Sequence, residues 1–160
     1  MRRGSLVART RISNRAAQDH AAQAHILEKA TAVHVFCTQG DIEGDRISRH
    51  WHDLVRLDDE GYAQAAFDDN ALAKEVADWK SKFFRVRDRN GEWIDYHVAV
   101  SGKLQIGPDE KTRKELQADY QKMADAGLLL GDAVPFDEIM KRCETLQKRA
   151  NSRKCDLILA

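Results

Sequence analysis

Residues 26–40 read ILEKATAVHVFCTQG, and this stretch indicates how the chain folds. Its apolar side chains recur every three or four residues, which is the spacing of one buried face of an α-helix. The residues on that face are Ile26, Ala30, Val33 and Cys37. Gly40 then ends the helix. The stretch therefore predicts an amphipathic helix that packs against other apolar elements.

A second amphipathic helix follows after a short polar loop. Residues 40–45 read GDIEGD, and residues 46–55 read RISRHWHDLV. The apolar positions of the second stretch also repeat at helical spacing, at Ile47, Trp51, Leu54 and Val55. Because the loop is short, we expect the two helices to lie antiparallel.

Three further helices are predicted downstream. Asp69 or Asn70 caps the third, Pro108 opens the fourth, and Pro135 opens the fifth. The predicted inward-facing residues are Leu72, Val76, Trp79 and Phe83, then Leu116, Tyr120 and Met123, and finally Phe136, Ile139, Met140, Cys143 and Leu146.

One segment departs from the helical period. After Asn90 and Gly91, apolar residues alternate with polar or small ones, which favours an extended conformation near residues 93–106. The alternating residues are Ile94, Tyr96, Val98 and Val100. The predicted fold class is therefore mainly α, a helical bundle of about five helices with one short extended or β segment.

The ends of the chain differ from its centre. Residues 1–24 carry five arginines before the first acid, Asp19, and have no sustained apolar face. They predict an unstructured basic leader, with a transit peptide or an RNA-contacting arm as alternatives. Residues 25–152 form the predicted helical domain, and residues 153–160 form a short apolar tail.

Charge and apolar run length exclude some classes of protein. The 26 basic and 26 acidic residues give a net charge of zero, so no overall field attracts nucleic acid or membrane. The apolar runs are far shorter than the roughly 20 residues that span a bilayer. Cys37, Cys143 and Cys155 are scattered, which predicts free thiols in a reducing compartment and no metal site. We expect a cytoplasmic bacterial protein.

The first two helices carry the candidate functional residues. Lys29 lies at the edge of the first apolar face and Asp53 at the edge of the second, so an antiparallel arrangement would pair them and fix the helix register. Arg46, Arg49 and His50 add positive charge nearby. These residues are interpreted either as a solvated, self-paired surface or as contacts for phosphate.

Several passages resemble a known family. LEKATAVH at residues 27–34 and RISRHWHDL at residues 46–54 resemble a paired motif of AbiEii/AbiGii-type nucleotidyltransferase toxins. Four more passages are similar to this family in the same order: KSKFF at 80–84, LQIGP at 104–108, DYQKM at 119–123 and PFDEI at 135–139. The resemblance covers residues 26–151 and corresponds to the C-terminal helical portion of the family.

The resemblance implies an activity and a site. Such enzymes transfer a nucleotide from a nucleoside triphosphate with Mg²⁺, as toxins of toxin–antitoxin or phage-defence systems. By motif, Lys29 would contact the triphosphate and Asp53 would be a catalytic acid. The glycine-rich passage with its metal-binding acids does not precede Glu28. We therefore expect a truncated or remnant domain in which Lys29 and Asp53 are vestigial, with no metal or cofactor and no catalysis of its own.

Two alternatives stay open. One is a module that binds nucleotide, tRNA-like RNA or an antitoxin through Lys29, Arg46 and Arg49. The other is one half of a split nucleotidyltransferase, whose catalytic half is a separate chain. In full-length members the first two helices would pack on the catalytic sheet. Val33, Phe36 and Trp51 are therefore expected to face water or a partner, which would favour self-association.

Overall fold

The computed structural model describes residues 4–129, 131 and 133–152, with side chains from residue 14 onward. Its helices are α1 (Gly4–Gln39), α2 (Arg49–Asp59), α3 (Tyr62–Asp68), α4 (Asn70–Phe83), α5 (Tyr96–Ala99), α6 (Glu110–Asp125) and α7 (Phe136–Ser152). Within these residues there is no β-strand, and one isolated β-bridge joins Arg87 to Trp93. The predicted mainly α fold is confirmed. The predicted tail and Cys155 lie outside the described residues.

The core forms where α1, α2 and α7 meet, and α3, α4 and α6 add to it. The predicted inward faces of the first two helices and of α6 and α7 are confirmed, except that Ile47 is only partly buried. Trp51 is fully buried, and its indole N–H donates a hydrogen bond to the carbonyl of Ile106 at 2.8 Å. This bond satisfies the one polar atom of the largest core side chain.

The beginning of α1 differs from the sequence prediction. Residues 4–24 were expected to belong to an unstructured leader, and the structure has them in the first turns of the helix. Alanine and arginine are abundant here and are strong helix formers, and the buried second half of α1 provides a formed helix to extend. Residues 14–18 are nevertheless exposed, as expected for a stretch without an apolar face.

Helix α1 ends at a glycine, and an arginine side chain caps its last carbonyls. Gly40 has a φ of 75°, in the left-handed region that glycine adopts without strain. The Arg89 guanidinium donates to the carbonyls of Cys37 and Thr38, both at 3.4 Å. A cation at this end of a helix satisfies free carbonyls and complements the helix dipole.

The extended segment predicted near residues 93–106 was wrong in its first half. The Asp95 carboxylate accepts hydrogen bonds from the backbone N–H groups of His97 and Val98 and caps α5. Alternation of apolar residues produces a strand only where a neighbouring strand supplies hydrogen-bond partners. Beyond the Arg87–Trp93 bridge, the described residues form no such pairing.

Side chains from three helices hold the backbone of residues 104–107. Asn151 on α7 accepts from the Leu104 N–H and donates to the Leu104 carbonyl, both at 2.8 Å. Gln147 accepts from the N–H groups of Ile106 and Gly107 at 2.7 and 3.0 Å. His34 Nδ1 on α1 accepts from the Gln105 N–H at 3.0 Å. Trp51 on α2 donates to the Ile106 carbonyl. The segment is therefore irregular, but all four of its backbone N–H groups are hydrogen-bonded.

Two predictions about apolar exposure were wrong. On α4, Leu72 and Val76 are buried as predicted, but Trp79 and Phe83 are 45% and 69% exposed. Conversely, Val33 and Trp51 do not face water, because both are fully buried, and Phe36 packs against the core. A group of exposed apolar side chains thus lies at the C-terminal end of α4, and Trp93, Val98 and Leu128 are exposed elsewhere. No described helix has the length and apolar composition needed to cross a membrane.

Candidate anion-binding site

Lys29 and Asp53 form the centre of the candidate site. Lys29 Nζ lies 2.8 Å from Asp53 Oδ2, and the two side chains are 19% and 24% exposed. Lys29 comes from the edge of the buried face of α1 and Asp53 from the corresponding edge of α2, as the sequence predicted. Partial burial weakens solvent screening, so this pair contributes more to helix register than a pair at the surface.

Three further basic side chains lie around this pair. Lys29 Nζ is 3.4 Å from His50 Nδ1, and Arg49 Nε is 3.8 Å from Asp53 Oδ2. Lys80, on α4, donates from Nζ to the backbone carbonyl of Glu28 at 3.3 Å. We call Lys29, Arg49, His50 and Lys80 the cationic cluster. Sequence reasoning missed Lys80 because only packing of α4 against α1 brings it here.

Electrostatics in the cluster disfavour additional positive charge. Burial lowers the pKa of His50, and the positive charges of Lys29, Lys80 and Arg49 lower it further, against the opposing effect of Asp53. Burial also lowers the pKa of Lys80, and Glu28 partly offsets this. An anion placed between these side chains would relieve both effects, since it would stabilise their protonated forms.

His52 lies on the inner side of the site. It is 3% exposed, and its Nδ1 is 3.7 Å from Asp53 Oδ1. Burial lowers its pKa, with Asp53 opposing the shift. Its Nε2 atom has no hydrogen-bond partner among the described residues, and its ring lies 6.3 Å from the ring of Tyr120. A neutral imidazole therefore belongs to the core packing behind Asp53.

Arg46 does not join the cationic cluster. It precedes α2 with a φ of 63°, its side chain is exposed, and its backbone N–H donates to Asp119 Oδ1 at 2.8 Å. Asp119 also accepts from the N–H and hydroxyl of Ser48 at 2.9 and 2.6 Å. Burial would raise the pKa of Asp119, but these hydrogen bonds hold it below its usual value. Asp119 therefore anchors the loop that starts α2.

The site fits an anion better than Mg²⁺. A magnesium ion needs several oxygen ligands, usually carboxylates and waters. In the part of the chain that the structure describes, no three His, Cys, Asp or Glu side chains are grouped so as to hold a metal ion. Asp53 is already engaged by Lys29 and Arg49. The partly open cavity beside Leu27 and Thr31 is about 20 Å³, which is too small for a nucleotide.

Comparison with known proteins adds no further information about the site. Neither a protein-family model, nor a characterised protein, nor a solved structure matches this chain. The resemblance to AbiEii/AbiGii-type nucleotidyltransferases therefore stays a prediction, together with the roles that it implies for Lys29 and Asp53.

Proposed function

We propose that this chain is a helical domain of the AbiEii/AbiGii type, without catalysis of its own, that binds phosphate groups of a nucleotide or of RNA at the cationic cluster. One observation carries the proposal: Arg49, His50 and Lys80 surround a Lys29–Asp53 pair in which the carboxylate is already neutralised. Beyond that pair, Arg49 and Lys80 carry positive charge that Glu28 offsets only in part, and this excess suits an anion.

Arg49 is the residue best suited to contact the ligand. Its side chain is 53% exposed, and its contact with Asp53 is long, at 3.8 Å. It can therefore turn toward a phosphate at small cost and donate two parallel hydrogen bonds from its guanidinium. His50 would be the second contact, because a nearby anion favours its protonated form and makes both ring nitrogens donors.

A purely structural role is the main competing explanation. The Lys29–Asp53 pair would fix the register of α1 and α2 whether or not a ligand binds. Arg49 and His50 distinguish the two explanations, since neither is needed for that register. Binding measurements on variants of these two residues therefore test the proposal more directly than variants of Lys29.

The test is titration of the purified chain with a fluorescent nucleoside triphosphate in the absence of added metal. We expect Arg49→Gln to weaken binding about tenfold, the size typical of one charge-assisted interaction. Arg113→Gln is the matched control: this arginine pairs with Asp137 at 3.0 Å on another face of the domain. Equal binding by the wild type and Arg49→Gln would refute the proposed site.

Two additional measurements test the parts of the proposal separately. In NMR titrations, binding of inorganic triphosphate should raise the pKa of His50, because the anion opposes the effect of Lys29 and Lys80. An unchanged His50 pKa would place the ligand elsewhere. Transfer of a labelled nucleotide to RNA by this chain alone, with Mg²⁺, would contradict the absence of catalysis.

A further inference from the structure

Two buried histidines face one continuous part of the chain. His34 on α1 contacts the segment at residues 104–107, and His52 on α2 lies beside the ring of Tyr120 on α6. The two histidines are 8% and 3% exposed. The segment leads directly into α6, so both histidines contact a single stretch, residues 104–125. We call residues 104–125 the docked stretch.

His34 must be neutral to make its contact. Its Nδ1 accepts from the Gln105 N–H at 3.0 Å, and a backbone N–H can only donate, so the ring hydrogen lies on Nε2. A protonated imidazole carries hydrogen on both nitrogens and has no acceptor left in any orientation. Protonation of His34 therefore removes this hydrogen bond. Burial alone lowers the pKa of His34, and no charged group of the described residues contributes to the shift.

His52 is unsuited to positive charge for a different reason. Its Nε2 is buried without a hydrogen-bond partner among the described residues, so the N–H of a protonated ring would have no acceptor there. Burial lowers the pKa of His52, Asp53 opposes this shift, and Arg56 and Arg49 add to it. From α6 the facing titratable group is Tyr120. Burial raises the pKa of its hydroxyl, which donates to a backbone carbonyl, so it supplies no negative charge.

The other side chains that hold the docked stretch to α2 and α7 keep their charge state in mild acid. Asn151, Gln147 and Trp51 bond the segment at residues 104–107 and do not titrate. Asp119 bonds α6 to the loop before α2, and its hydrogen bonds hold its pKa below the usual value. Among these contacts, mild acid therefore changes those of His34 and His52.

We propose that the docked stretch is an acid-sensitive part of the domain, which separates from α1 and α2 when His34 and His52 take up protons. This inference does not depend on the proposed anion site. A histidine exposed to water has a pKa of about 6.5, and the pKa values of both histidines are lower in the folded domain. Attachment is therefore strongest above about pH 6.5 and weakens as the pH falls below that value.

Amide hydrogen exchange measures this opening, with each rate divided by that of an unstructured chain at the same pH. The buffer contains no phosphate, so that no anion occupies the cationic cluster. From about pH 7.5 to about pH 5.5, each histidine can increase the open fraction at most about tenfold. In the wild type we expect the protection of the Gln105, Ile106 and Tyr120 amides to fall between about tenfold and about a hundredfold over this range.

Two substitutions preserve the packing and remove the protonation. His34→Gln supplies an amide oxygen that accepts at every pH in this range. His52→Phe keeps a flat ring beside Tyr120. We expect each single variant to lose protection at most about tenfold between the two pH values, and the double variant less than about twofold. His25→Gln is the matched control, because this histidine is also on α1 but is 54% exposed, and it should behave as the wild type.

Three results would overturn the proposal. In the first, the double variant keeps the pH dependence of the wild type. In the second, the amides of the docked stretch share the protection and the urea dependence of the Val76 amide in α4, so the stretch opens only with the whole domain. The third comes from an NMR titration of the wild type and needs no variant. If His34 takes up its proton while the Gln105 amide signal keeps its position, this contact does not require a neutral ring.

Discussion

At the scale of single residues, two ion pairs of equal length have unequal surroundings. Lys29 and Asp53 lie 2.8 Å apart and are mostly buried, whereas Lys74 and Asp78 lie 2.8 Å apart with Lys74 71% exposed. Water and salt screen the exposed pair, and removal of one partner from the buried pair leaves a charge with less solvent to stabilise it. The first pair should therefore contribute more to stability.

We expect Lys29→Met to lower the free energy of unfolding by about 1–2 kcal/mol, because Asp53 keeps only its longer contacts with Arg49 and His52. Lys74→Met should cost less than about 0.5 kcal/mol. Urea unfolding of both variants measures the difference, and Lys29→Met with Asp53→Leu completes a double-mutant cycle. Equal losses for the two lysine variants would show that burial does not strengthen the Lys29 pair.

The site was predictable from the sequence only where its residues share a local pattern. Edge positions on two helices joined by a short loop predicted the Lys29–Asp53 contact. No local pattern connects Lys80 to the site, since it lies 51 residues from Lys29 and reaches it through packing of α4 on α1. Arg46 was expected beside Arg49 and His50, but it has a positive φ and lies before the start of α2.

At the scale of elements, α7 does more than cover the core. Gln147 and Asn151 act as hydrogen-bond partners for the irregular segment at residues 104–107, a role that a neighbouring strand plays in a sheet. Buried backbone N–H groups need such partners, because an unsatisfied one costs the full loss of hydration. The position of this segment against α1 and α2 therefore depends on amide side chains of α7.

Gln147→Met should lower the free energy of unfolding by about 2 kcal/mol, because the N–H groups of Ile106 and Gly107 lose their acceptor. Gln147→Glu keeps an acceptor oxygen and should stay within about 0.5 kcal/mol of the wild type. Gln121→Met is the surface control, since Gln121 bonds only the exposed Asp125 on its own helix. If Gln147→Met left the free energy of unfolding unchanged, water would be replacing the amide as the hydrogen-bond acceptor.

Helix prediction succeeded where large apolar residues repeat and failed where they do not. The faces of α6 and α7 follow from Leu116, Tyr120, Ile139 and similar residues, all buried. Helix α3 was missed because small residues, Ala63 and Ala66, form its buried contacts. Small side chains allow close approach of α1 and α3 but produce little apolar signal in a sequence.

At the scale of the whole molecule, the helices share one main core. The reactivity of the thiols in this core measures whether it opens as one cooperative unit. Cys37 on α1 and Cys143 on α7 are both buried and free, as the sequence predicted. Burial raises the pKa of Cys37 to about 12, with smaller effects of Cys143 and Asp109, and raises that of Cys143 to about 12. At pH 8 only about one thiol in 10⁴ would be a thiolate, the form that reacts with disulfide reagents.

Both thiols should therefore react with a disulfide reagent only when the core opens. In a Cys155→Ala variant, which leaves these two cysteines, we expect no labelling in native buffer over the time in which a denatured sample reacts completely. Urea should raise the rates of Cys37 and Cys143 in parallel and with the slope of global unfolding, because one cooperative core protects them. Rapid labelling of either thiol without denaturant would contradict this. A shallower urea slope for Cys37 would instead show that α1 separates from α7 before the rest of the domain unfolds.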